Sequence, residues 1–178
     1  MKVLHEGKYV SLVDLSVGYE TLKEKDIVIS FVKKVSQFGE TLYAVRYENC
    51  PPYSEDENYY TIISGKIDEG ETPMDACIRE LVEEAGVKIL NKDIVNPSFE
   101  KIPVCKSTMM RTNLYIITLN EDRKDLDWEE TEATGDGTEF EGNSETQWLT
   151  MDELINILNN NSNFDVLYYL ACFVYQNA

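Results

Sequence analysis

GKIDEGETPMDACIRELVEEAGV, residues 65–87, is the stretch that organises the rest of the chain. Its middle carries the marks of a helix with defined ends. Thr72 suits the N-cap, Pro73 the first helical position, and Asp75 stands where a capping box has its acid. Gly86 is a natural terminator in the left-handed conformation. At about 100° per residue, Met74, Cys77, Ile78, Leu81 and Ala85 gather into an apolar stripe. Glu80, Glu83 and Glu84, spaced i, i+3, i+4, share a different face, roughly a third of a turn away.

Those glutamates work against the helix. Like charges at i,i+4 cost about 0.2–0.5 kcal/mol, and the macrodipole makes negative charge near the C-terminus worse. A local conflict without a compensating gain tends to mark a functional site. A hard divalent cation removes it by taking carboxylate oxygens. Arg79 offsets part of the charge, or orients a glutamate by a bidentate contact. Taken alone, the three glutamates fit a solvated acidic face better than a metal site; the wider pattern changes that.

Outward from the helix, both flanks read as strands. Upstream, residues 25–36 are rich in β-branched side chains and residues 41–48 alternate, with Phe38-Gly39-Glu40 as a hairpin turn between them. Residues 7–18 read as a strand or hairpin start, residues 50–57 as a polar loop, and Tyr59–Ile63 as a further strand. Downstream, Phe99–Val104, Asn113–Leu119 and Gln147–Leu149 read as strands. An acidic loop spans 120–146, and helices near 151–158 and 164–176 are separated by an Asn/Ser break. This order points to an α+β domain, single over 1–178, with a possible strand or hairpin extension at 1–22.

The composition narrows the function. Thirty-three acidic against 16 basic residues give a net charge of −17, which repels duplex nucleic acid. The densest basic clusters are the pairs Lys33-Lys34 and Arg123-Lys124. The longest apolar run, Val166 to Tyr175, is too short for a membrane span, and the N-terminus lacks a signal-peptide layout, so a cytoplasmic protein without a membrane partner is expected. Cys50, Cys77, Cys105 and Cys172 form no CxxC pair and His5 is the single histidine, which speaks against zinc clusters and histidine-based nucleophilic catalysis.

The pattern G-x5-E-x7-R-E-U-x-E-E-x-G-U, with U aliphatic, is filled by Gly65, Glu71, Arg79, Glu80, Leu81, Glu83, Glu84, Gly86 and Val87. It resembles the Nudix box. The resemblance implies an α/β/α sandwich, a mixed sheet between helices, with the box as loop–helix–loop. It implies a hydrolase that cleaves a pyrophosphate bond in a small nucleotide substrate using Mg²⁺, or Mn²⁺ in its place. Glu80, Glu83 and Glu84 would be metal ligands, Gly65 would lend a backbone carbonyl, and Glu71 and Arg79 would brace helix and loop. The general base would be a box glutamate such as Glu83 or Glu80, or a carboxylate of the downstream loop, Glu139, Glu141 or Glu145. Glu141 would also serve as a further metal ligand. Homodimers are common in the family.

The opening Val3–Leu12 tract, the Gly65–Glu71 tract and Pro103 are similar to ADP-ribose and nucleoside-diphosphate-sugar pyrophosphatases. The chain departs from that subfamily after Pro103, where Val104-Cys105-Lys106-Ser107-Thr108 replaces the usual glycine and acid. Lys106, Arg111, Tyr53, Tyr59 and Tyr60 are candidates to meet substrate. The open alternatives are a nucleoside triphosphate, NADH, a dinucleoside polyphosphate or a capped RNA as substrate, and a non-catalytic nucleotide sensor.

Overall fold

The computed structural model describes residues 1–7, 10–15, 19–49, 58–105, 107–135 and 144–177. Strands β1 (Lys2–Glu6), β2 (Ser11–Asp14) and β3 (Glu20–Lys23) form an antiparallel meander. It is tied to the body where Leu22 N–H donates to Ser107 O at 3.0 Å and Met109 N–H to Leu22 O at 2.7 Å.

The main sheet takes β4 (Ile27–Val35), β5 (Thr41–Asn49), β6 (Asn58–Thr61) and β7 (Ile63–Lys66). Helix α1 (Pro73–Ala85) follows, then β8 (Val87–Ile89), β9 (Val95–Pro103), β10 (Arg111–Asn120), β11 (Trp128–Glu130) and β12 (Glu145–Leu149). The sheet order is β12-β5-β4-β10-β9, with β10 parallel to β4 and the other pairings antiparallel. Helices α2 (Met151–Asn160) and α3 (Val166–Asn177) end the chain.

The alternation within β4 fixes the layering. Val28 and Val32 face α1, in a core with Cys77, Leu81, Ile117 and Trp128. Ile29 and Phe31 face α2 and α3, in a core with Leu154, Tyr168 and Tyr175. A strand buried on both faces needs cover on both, and the result is the expected α/β/α sandwich.

β4 and β5 pair only near their turn, Lys33–Val35 with Thr41–Tyr43, and then diverge. In the gap β6 lies along β5 and β7 along β4. Where the ladder opens, the Tyr175 hydroxyl accepts from Val32 N–H at 3.0 Å and donates to Ala44 O at 3.0 Å. α3 thus replaces, with one hydroxyl, the backbone partners that divergence removes.

Two sequence readings change. Tyr59–Ile63 is not one strand: the segment serves β5 with its first half and β4 with its second, which reaches Lys66. The acidic stretch 120–146 contains β11, which pairs with β8 and is anchored by Trp128, 1% exposed. Three residues, two of them glutamates, give no strand periodicity to read. Among the described residues no helix is long and apolar enough to cross a membrane.

Candidate active site

The ends of α1 are made by local side chains. Thr72 Oγ1 accepts from Asp75 N–H at 3.2 Å and donates to Asp75 Oδ2 at 2.7 Å. Gly86 takes φ 60°, and its N–H reaches the carbonyls of Leu81 and Val82. So fixed, the helix sinks Ala76, Cys77 and Leu81 into the sheet.

Glu80 and Glu84 sink with them, at 8% and 7% exposure. The sequence reading set the glutamates apart from the buried stripe; here two of them are under cover and Glu83 lies nearer the edge. The reason is β7. Gly65 pairs with Val28, facing α1, and a Cβ at Gly65 would overlap the Glu80 carboxylate. The missing side chain is what lets this carboxylate lie against the strand.

Arg79 gathers the acids. Its Nε and Nη2 hold Glu71 bidentately at 3.0 and 3.1 Å, and Nη1 reaches Glu80 at 2.6 Å and Glu83 at 2.8 Å. Nη2 also donates to Lys66 O at 2.9 Å, which ties the loop to the helix. The guanidinium holds the Glu71 carboxyl below its ordinary value.

Glu84 has a different environment. Its Oε2 accepts from Ser64 N–H at 3.1 Å, and its Oε1 lies 3.5 Å from Arg46 Nε. Burial pushes its carboxyl well up, against the Arg46 charge. Arg46 Nη1 and Thr146 Oγ1 both donate to the Glu84 carbonyl, at 3.3 and 2.6 Å. Glu48 Oε2 is 3.6 Å from the same Nε, while Glu48 Oε1 accepts from the Tyr59 hydroxyl at 3.1 Å. Sequence reasoning did not single out Arg46. The signal was there: an arginine in phase with Leu42 and Ala44, at the buried middle of β5.

The donor set has the right chemistry for a hard divalent cation: buried carboxylate oxygens, a glycine strand close by and excess negative charge. Among the described residues, no group of three or more His, Cys, Asp or Glu side chains converges as a ligand cage. The geometry shows why: Arg79 stands on Glu80 and Glu83 while Glu84 turns toward Ser64 and Arg46.

Lys106, Tyr53, Glu139 and Glu141 lie outside the described residues. Glu145 is exposed at the start of β12, and its carboxylate accepts from the Gln147 amide at 2.6 Å. Arg111 is exposed at the start of β10, where its N–H donates to Asp26. Tyr60 packs on Tyr47 and Tyr168. Pro103 and Tyr59 line a cavity of about 830 Å³, together with Ile29, Thr112, Leu114 and Leu167. Ile29 and Leu114 belong to the core on the α3 face. Ile27 and Ile29 of the cavity flank Val28, the partner of Gly65, so cavity and carboxylates sit at the same level on opposite sheet faces.

A family model described as NUDIX domain matches residues 30–170. The fold is similar to a crystal structure of an ADP compounds hydrolase, with a TM-score of 0.62 at 14% identity, covering 99% of this chain and 89% of that one.

Proposed function

Because the chain belongs to the Nudix family and is a pyrophosphohydrolase, we propose that it uses Mg²⁺ to hydrolyse a nucleoside diphosphate joined to a second moiety, ADP-ribose or a related nucleotide sugar. The observation that carries this reading is the burial of Glu80 and Glu84 beside Gly65. Burying acids costs folding energy unless their charge is used. We assign the whole chain to one catalytic unit, with β1–β3 as its N-terminal appendage.

Glu80, Glu83 and Glu84 would hold the ion, with the Gly65 carbonyl beside them. An ion held by these residues would supply Lewis-acid chemistry, offsetting charge on the diphosphate oxygens and lowering the pKa of the attacking water. Arg79, braced by Glu71, keeps the glutamates from repelling one another and fixes the loop through Lys66 O. The proton of the attacking water passes to a carboxylate, for which Glu83, at the edge of the cluster, and Glu80, Glu139 and Glu141 are the candidates. Water oxygen bonds to one phosphorus, the bridging P–O bond breaks, and the products are two monophosphates. The likeness to an ADP compounds hydrolase favours adenosine-containing diphosphates.

The test is a panel of ADP-ribose, sugar nucleotides, NADH, triphosphates, dinucleoside polyphosphates and a capped RNA, each with Mg²⁺ and with chelator. Cleavage of ADP-ribose to AMP and ribose 5-phosphate, lost with chelator, is the expected result. Preference for a triphosphate would move the substrate class. Tight nucleotide binding without turnover of any compound would replace the enzyme by a sensor.

A further inference from the structure

The acids of α1 are approached by two arginines, and the Nudix pattern accounts only for Arg79. Arg46 comes from β5, is 4% exposed, and holds Glu84 at two points. Nη1 donates to the Glu84 carbonyl at 3.3 Å, and Nε faces the Glu84 carboxylate at 3.5 Å. Nε stands almost as far, 3.6 Å, from Glu48, and makes no hydrogen bond among the described residues. A committed guanidinium–carboxylate contact is shorter, about 2.7–2.9 Å. Through Nε, the charge is therefore shared between two carboxylates at nearly equal distance.

We propose that Arg46 is a positioning residue for the terminal box glutamate, aiming Glu84 at the cation while Glu48 keeps the guanidinium neutralised. The proposal rests on the Mg²⁺ reading above. When the Glu84 oxygens turn to a cation, Arg46 still has Glu48 as counter-charge and still holds the Glu84 carbonyl. Removing either partner leaves a buried charge facing the wrong group. A plain electrostatic bystander would behave in the opposite way. A buried cation next to a metal site weakens cation binding by repulsion, so its removal would tighten it.

The experiment measures Mn²⁺ binding to the full chain by electron paramagnetic resonance of the free ion, with thermal unfolding of each variant alongside. Wild type, Arg46→Met, Arg46→Lys and Glu48→Gln are compared without substrate. The expected result is a dissociation constant raised about tenfold or more in Arg46→Met, partly restored in Arg46→Lys because charge returns without the fork, and raised about threefold in Glu48→Gln. Equal or tighter Mn²⁺ binding by folded Arg46→Met, or wild-type affinity in Glu48→Gln, overturns the role. If the Arg46 variants fail to fold, Glu48→Gln alone decides by the same criterion. Wild type that binds no Mn²⁺ at all would instead sink the metal reading itself, which separates the two failures.

Discussion

At the scale of single residues, the site is a contest for carboxylates. Arg79 engages Glu71, Glu80 and Glu83, and Arg46 stands between Glu84 and Glu48. The Glu71–Arg79 contact could be anticipated because the box spaces its members closely on one chain segment. The inward phase of Arg46 was readable, but its contact with Glu84 was not, since it reaches that residue from a strand 38 residues earlier. Glu84→Gln is expected to lower kcat about 10²–10³-fold in a Mg²⁺-supported assay, the size of losing one strong group that stabilises the transition state. Gly65→Ala puts a methyl onto the Glu80 carboxylate, and should cut activity at least tenfold while costing about 1–3 kcal/mol in urea unfolding.

pH separates two of these acids. Arg79 holds Glu71 below its ordinary value, so the pair stabilises the fold above the unfolded carboxyl range and loses that contribution as pH falls through the folded value. Burial raises Glu84, so its term runs the other way: it favours folding in acid and fades as pH rises through the folded value. Glu71→Gln should therefore cost about 1–2 kcal/mol at neutral pH and much less in acid, measured by urea titration at both. An undiminished cost in acid would mean that Glu71 does not act through its charge.

At the scale of elements, the legible parts were those whose determinants are local. The caps of α1, the Gly39 turn at φ 83° and the β-branched run of β4 follow from neighbouring residues, and they carry the sandwich. The wedge of β6 and β7 was not legible, because it depends on how far β4 and β5 diverge. β8 and β11 were missed because each is three residues long and held by tertiary contacts. The Tyr175 latch is the sharpest test of this level. Tyr175→Phe orphans Val32 N–H and Ala44 C=O in the core, and should cost about 1–3 kcal/mol in equilibrium unfolding. A near-zero cost would show that the fork between β4 and β5 can close without α3.

For the whole molecule, a net charge of −17 means that the fold works against its own repulsion. Raising NaCl from about 20 to 200 mM should raise the Tm by shortening the reach of that repulsion. At matched ionic strength, Mg²⁺ should raise it further in wild type, by about 2.7 kcal/mol of stability at 100 times the dissociation constant, and less in Glu80→Gln. An identical Mg²⁺ response in both proteins would reduce the ion to a surface screen.

The most direct measurement is anomalous diffraction from crystals grown with Mn²⁺ and a non-hydrolysable ADP-ribose analogue. A manganese peak bonded to oxygens of Glu80 and Glu84 next to Gly65, and touching the diphosphate, is the outcome this account requires. A peak elsewhere, or none while those carboxylates still rest on Arg79 and Arg46, would contradict it.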